Sequence, residues 1–274
     1  MSNLKDALHI PDTQSERDER HLAIQRVGVK SVRYPIQLRI GPVVTSSVAL
    51  WDLDVALPAE QKGTHMSRFV AWLDALDEPL DLPTLRVRFG NMLERLHATE
   101  GRIDARFPFF LRKRAPVSGV QSLLEYQGRW IAEARAEAAP GGAPTATPVT
   151  TLWAEVVVPV KSLCPCSKEI SDYGAHNQRS HVTIRAELLA PVEWAELVRF
   201  AEDSASSEIW PMLKRADEKW ITERAYENPK FVEDMVRDVA LRLNAEPRIG
   251  RYRVEVENFE SIHAHSAYAR IDRS

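Results

Sequence analysis

An order of elements that occurs twice constrains this chain more than any other feature. "VGVKSVRYPIQLRI" (27–40) and "TSSVALWDLDVAL" (45–57) are rich in β-branched and aromatic residues and meet at Gly41-Pro42, the pattern of a hairpin. Two helical periods follow. "THMSRFVAWLDAL" (64–76) sets Phe69, Trp72, Leu73 and Leu76 on one face with Thr64 as N-cap. "LPTLRVRFGNMLERLHA" (82–98) carries Pro83 in its first turn. "RIDARFPFFLRKRA" and "GVQSLLEYQGRWIAEARAEA" then read as long strands. After the turn-rich "APGGAPTATP" (139–148) the order starts again. Strand "VTTLWAEVVVPV" leads into a cysteine-bearing loop and strand "RSHVTIRAELL". Helical periods cover "PVEWAELVRFAEDSA", opened by Pro191, then "EIWPMLKRADEKWITERAYE" and "PKFVEDMVRDVALRLNAE" with a break at Pro229, and "RIGRYRVEVENFESIHAHSAYARID" closes as two strands.

The pattern predicts an α+β protein of two tandem β-β-α-α-β-β modules, each a four-stranded antiparallel sheet backed by helices on one face. The modules are expected over 26–138 and 149–274, joined by a linker loop at 139–148 and preceded by a flexible arm over 1–25. The repeat is one of element order, without a residue-level period.

Bulk composition narrows the function. A formal net charge of −3 over 274 residues lacks the broad basic footprint of a nucleic-acid binder. The longest apolar runs, such as Ala154 to Val160, are too short to span a bilayer. The N-terminal stretch has neither a signal-peptide core nor an Arg-rich transit pattern, so a cytoplasmic protein is expected. In a reducing compartment neighbouring thiols serve metal or catalysis more often than a disulfide.

Chemistry-bearing residues cluster in three places. Cys164 and Cys166, the only cysteines, flank Pro165; in an extended loop both thiols would face one side, with His176 able to fold back towards them. Two buried thiols and a surface histidine form the simpler alternative. His263 and His265 share the same i, i+2 relation on an expected strand, where an exposed strand end is the simpler reading. Glu218 lies four residues after Lys214, the spacing of an ordinary surface pair on a helix, and Glu227 and Glu233 read as solvated. There is no glycine-rich phosphate loop, dinucleotide fingerprint or serine nucleophile elbow. A phosphorylated ligand would be held by scattered basic side chains. The residues alone describe a two-module α+β protein with a Cys/His metal site.

The segments "CPCSKEISDYGAHNQRSH", "LKRADEKWITERAYENPKFVED" and "NFESIHAHSAYA", with "VGVKSVRYPI" and "KGTHMSRF" upstream, resemble the type IB GTP cyclohydrolases. The likeness runs from about residue 25 to the C-terminus. It implies a tunnelling fold, with subunits assembled so that sheets close into barrels and active sites lie at module or subunit interfaces, expected as a homotetramer. The implied reaction converts GTP and water to 7,8-dihydroneopterin 3′-triphosphate and formate, the first step of tetrahydrofolate biosynthesis, with no nucleotide cofactor.

Residue by residue, the resemblance places Cys164, His176 and Glu218 on a divalent metal, with His263 at or beside it. Cys166 falls near the substrate, and Glu233 falls on the carboxylate that anchors the guanine edge. Zinc, manganese and iron all suit such a donor set. Three protein ligands leave a position for a water whose pKa the metal lowers, and His263 or His265 is placed to move protons. Lys62, His65, Arg68, Lys168 and Arg179 are the triphosphate candidates. Two rivals use other chemistry: an NADPH-dependent tunnelling-fold nitrile reductase with a cysteine nucleophile, and a non-enzymatic zinc clip.

Overall fold

The computed structural model describes residues 12–135 and 148–274. The first part of the expected arm and all of the expected linker except Pro148 lie outside the described residues. The chain runs β1 (Ile24–Ile40), β2 (Val43–Leu57), α1 (Met66–Asp74), α2 (Leu82–Arg95), β3 (Gly101–Arg114) and β4 (Gln121–Arg135), then β5 (Val149–Leu163), α3 (Pro165–Ile170), β6 (Asn177–Leu188), α4 (Trp194–Glu202), α5 (Arg215–Glu227), α6 (Val232–Asn244), β7 (Ile249–Asn258) and β8 (Ala267–Arg273). The β1–β2 turn needs Gly41, whose φ of 57° lies in the left-handed region.

All eight strands form one antiparallel sheet in sequence order. The sequence predicted a four-stranded antiparallel sheet in each module, without saying how the two sets meet. β4 and β5 pair in unbroken register from Gln127–Val157 to Arg135–Val149, so the second set of strands extends the first.

Register explains why helices cover only one face. The cross-strand partners Trp51, Ala105, Trp130, Ala154, Ala186 and Tyr252 form a buried row across six strands. Their neighbours along each strand, Leu50, Arg106, Arg129, Glu155, Arg185 and Arg253, form a mostly charged row on the other face, as period-2 alternation requires. There Arg129 pairs with Asp104 at 2.6 Å and Glu155 at 3.1 Å.

Four sequence expectations are corrected. Thr64 is not the cap of α1; His65 takes that position without a side-chain bond. Asp81 caps α2, accepting from the Thr84 N–H at 2.9 Å. The helix expected from residue 208 begins only at Arg215; Ser207 is held in a two-bond bridge with Lys161 of β5, and Pro211 disfavours helical backbone at Trp210. The cysteine loop is instead the short helix α3, and the histidines expected on a strand lie in the β7–β8 loop.

The halves share a core. Trp194 of α4 packs within 4.8–5.6 Å of the rings of Phe107, Phe109 and Trp130 from β3 and β4. Beneath it Glu202 accepts from Lys113 at 2.7 Å and from Tyr126 at 3.0 Å. Burial pushes the Glu202 carboxyl up, with the Lys113 ammonium opposing it.

A second clasp ties the β3–β4 turn to α5. The Asp217 side chain accepts from the N–H groups of Val117, Ser118 and Lys214, each at 2.8 Å, and from the Ser118 hydroxyl at 2.6 Å. Burial raises the Asp217 carboxyl, but these donors more than reverse it and hold it well below its ordinary 3.8. A depressed carboxyl contributes stability above its unfolded value and loses it as pH falls through the folded value. Asp217→Asn is therefore expected to melt below the parent at pH 7, with the gap narrowing below about pH 4. Thermal melts across pH check this; a gap of constant size would contradict it.

Candidate active site

Residues from three places in the second half of the chain meet at one cavity of about 290 Å³. Cys164 and His176 come from the two ends of the α3 excursion, and Phe231, Val232 and Glu233 from the start of α6. Asn258, Glu260, His263 and His265 come from the end of β7 and the loop beyond it.

Local sequence sets this arrangement. Strand β5 stops at Leu163 because Pro165 cannot donate to the ladder, and proline suits the first turn of α3. Cys164 becomes the N-cap residue, and its N–H donates to the His176 carbonyl at 3.1 Å, closing the excursion. The Ser167 hydroxyl fastens it, donating to the Cys164 carbonyl and accepting from the His176 N–H, both at 3.1 Å. Gly174, with φ of 82°, turns the chain back.

The helix separates the two thiols. Cys164 is half-buried and lines the cavity, whereas Cys166 is exposed on α3 and does not. The shared orientation expected of an extended segment is thus lost.

His176 is held by acceptors. Gln178 is buried, its Nε2 donates to the Ser162 hydroxyl at 2.8 Å, and its Oε1 lies 3.2 Å from His176 Nδ1. A Glu260 carboxylate oxygen lies 3.8 Å from the same nitrogen. Both favour hydrogen on Nδ1, which leaves the Nε2 lone pair as the ligating atom. On the opposite rim the rings of His263 and His265 stack 5.0 Å apart at 14°.

The donor set fits a divalent ion: a thiol, three imidazoles and two carboxylates line one cavity, and one imidazole has its distal nitrogen already oriented. Among the described residues no three such groups are gathered closely enough to hold an ion as the chain is folded.

The other candidates lie elsewhere. Glu218 is exposed on the first turn of α5 and does not line the cavity. Lys62 pairs with Glu16, and His65 lies 3.4 Å from Asp12. Arg68 is on α1 and Arg179 is exposed on β6. Lys168 donates to the Tyr226 carbonyl at 2.5 Å and sits 4.3 Å over its ring, fastening α3 to α5. Sequence reasoning missed Gln178, Lys230, Asn258 and Glu260. Gln178 and Glu260 stand near motif histidines; Asn258 and Lys230 lie inside the segments "NFESIHAHSAYA" and "LKRADEKWITERAYENPKFVED" that carry the resemblance, where it assigns them no role.

The sequence pattern described as "Type I GTP cyclohydrolase folE2" matches residues 10–269. The chain belongs to that family. It is 68% identical to GTP cyclohydrolase FolE2 of Methylibium petroleiphilum, with 97% of this chain and 96% of the relative covered. It is 58% identical to GTP cyclohydrolase FolE2 of Paraburkholderia xenovorans, covering 100% and 98%. Family membership decides for a metal-dependent GTP cyclohydrolase, the first enzyme of the folate pathway, over the reductase and zinc-clip rivals.

The tunnelling fold is shown independently. A hyperthermostable mutant of urate oxidase from Bacillus sp. TB-90 superposes with a TM-score of 0.51 at 8% identity, covering 92% of this cyclohydrolase and 98% of that chain. A hyper-thermostable uricase mutant gives 0.52 at 13% identity, covering 92% and 93%. No helix among the described residues is long and apolar enough to cross a membrane.

Proposed function

We propose that this chain carries out the type IB cyclohydrolase reaction, GTP and water to 7,8-dihydroneopterin 3′-triphosphate and formate, in the cavity between α3, α6 and the β7–β8 loop. The observation that carries the reading is the convergence of Cys164, His176, His263 and Glu233 on that one cavity in a chain of this family.

Cys164 and His176 hold a divalent metal, zinc, manganese or iron, with His263 at or beside it. When bound, the ion supplies the Lewis acidity that makes water nucleophilic at neutral pH, which a weak electrophile such as guanine C8 demands. Glu233 receives guanine, its carboxylate accepting from N1–H and the 2-amino group. His263 and His265 take and return protons as the imidazole ring opens and formate leaves. His176 keeps its hydrogen on Nδ1, so its distal nitrogen stays available as a ligand.

Glu218 is the ligand that family likeness adds. Since it stands outside this cavity on its own chain, its contribution fits an assembly with sites at subunit interfaces, a homotetramer in this reading. Lys62, His65, Arg68, Lys168 and Arg179 remain the triphosphate candidates, with Lys168 free for that role only if it leaves Tyr226. The modules, 26–138 and 149–274, are the structural units of this reading.

Mass spectrometry of the product from metal-loaded protein, GTP and no NADPH tests the assignment. One linear pterin triphosphate per GTP is expected; a cyclic phosphate product, or a requirement for NADPH, would overturn it.

The two thiols should separate experimentally. Cys166→Ala is expected to keep most bound metal, because Cys166 lies outside the cavity lining, and to lose turnover because family likeness puts it near substrate, which for this exposed residue requires a site completed at a subunit interface. Metal analysis beside a turnover assay decides; metal loss equal to that of Cys164→Ala would make both thiols ligands.

A further inference from the structure

One residue lining the cavity carries a buried polar atom with no partner. Asn258, at the end of β7, is 3% exposed, and its Oδ1 is buried without a hydrogen bond, so the amide has to turn towards the cavity for a ligand to reach that oxygen. Its polar neighbours are satisfied among themselves: Gln178 Nε2 donates to Ser162 Oγ at 2.8 Å, and Ser162 and Ser180 share a hydrogen bond of 2.8 Å. Ser180 is the cross-strand partner of Asn258, yet its hydroxyl is turned to Ser162. A buried acceptor is costly to leave unpaired, so one in a native cavity calls for a donor that arrives with the ligand or with water.

The reaction makes such a donor. In GTP, N7 of guanine is an acceptor without hydrogen. Water adds across the C8=N7 bond, oxygen to C8 and hydrogen to N7; the C8–N9 bond then breaks with a proton passing to N9, leaving a formamide on N7. N7 turns from acceptor to donor at the first step and remains one until formate has gone. An acceptor fixed beside N7 therefore opposes the substrate's lone pair and complements every species after hydration, the differential binding that accelerates a reaction.

We propose that Asn258 is a catalytic residue whose Oδ1 accepts the N7–H that appears on hydration of the imidazole ring. The proposal rests on the cyclohydrolase reading and adds a contact to it. Asn258 shares the cavity with Cys164 and His176, where that reading puts the reacting end of the purine, and with Glu233, where it puts the pyrimidine edge.

The test is binding, with turnover as a separate check. 8-Oxoguanosine triphosphate carries hydrogen on N7 and GTP does not, so their dissociation constants report the contact directly. The parent is expected to bind the 8-oxo compound more tightly. Asn258→Leu should weaken 8-oxo binding about tenfold while changing GTP binding by less than about threefold, with kcat falling more than KM rises. Asn258→Asp, which keeps an acceptor in place, should retain the preference.

Tighter binding of GTP than of the 8-oxo compound by the parent would overturn the proposal without any variant. So would equal weakening of both ligands in Asn258→Leu, or in Asn258→Ala should the leucine variant not fold. A parent that neither binds nor converts GTP would bring down the cyclohydrolase reading itself; normal turnover with an unchanged ligand ratio in the variants would bring down only the role of Asn258.

Discussion

Replacing Cys164 or His176 by alanine is expected to empty the site of metal and abolish formate release, while the far-ultraviolet circular dichroism stays that of the parent. The fold does not depend on these side chains. Cys164 and His176 are fastened through backbone groups and the Ser167 hydroxyl, which neither substitution removes. Their side chains are left for chemistry. Loss of a partner that only orients a ligand costs roughly 10–100-fold in metal affinity or activity, so loss of a ligand should cost more than that. Gln178→Leu supplies the internal comparison, since Gln178 is not among the ligands and touches His176 only through Nδ1, its other bond going to Ser162. Metal analysis of purified variants checks both, and full metal occupancy in Cys164→Ala and His176→Ala would show that the ion sits elsewhere. The same measurement on Glu218→Ala tests whether a residue outside the cavity takes part.

Glu233→Ala is expected to cripple GTP turnover with bound metal and fold intact. Guanine offers two adjacent donors, N1–H and the 2-amino group, and one carboxylate accepts both. Adenine presents an unprotonated N1 at the same place, so an ionised carboxylate would face a lone pair. Hydrogen bonds to charged groups contribute roughly 1.5–3 kcal/mol each. Losing one or both lowers kcat/KM by about tenfold to about 20,000-fold, at ~1.4 kcal/mol per factor of ten. The parent should ignore ATP for the same reason, because groups built to pair with donors are left unpaired by a ligand lacking them. The competing role for Glu233 is local: an acidic residue in the first turn of α6 offsets the helix dipole. That role alone would leave turnover at the parental rate in Glu233→Ala, and the guanine anchor would then be sought at Glu227.

How far the sequence carried this account depends on the range of the forces involved. Strands and most helices were legible because period-2 and period-3.6 patterns are local: Trp51, Leu53 and Val55 alternate into the core of β2, and Phe69, Trp72 and Leu73 line one face of α1. The union of two four-stranded sets into one sheet was not, since it rests on β4 meeting β5 across a segment that carries no pairing signal. Just before the late start of α5, Ser207 bonds to Lys161, a contact between residues 46 positions apart in the chain. At the site, the resemblance indicated Cys164, His176, His263 and Glu233, and the fold brings these four to one cavity. The helical turn at Pro165 was misread as extended backbone, which wrongly aligned Cys166 with Cys164. Asn258 opens the segment "NFESIHAHSAYA" but was given no role by the resemblance; its interest comes from being buried beside serines that are already paired with each other and with Gln178.

The measurement that bears most directly on the central claim is the fate of guanine C8. GTP labelled at C8 should release its label as formate, one per GTP, when incubated with metal-loaded protein. Release should stop on chelation and return on adding a divalent metal, while Cys164→Ala stays inactive throughout. Label retained in the purine, or formate released at the parental rate by chelated protein, would contradict a metal-dependent ring opening in this cavity.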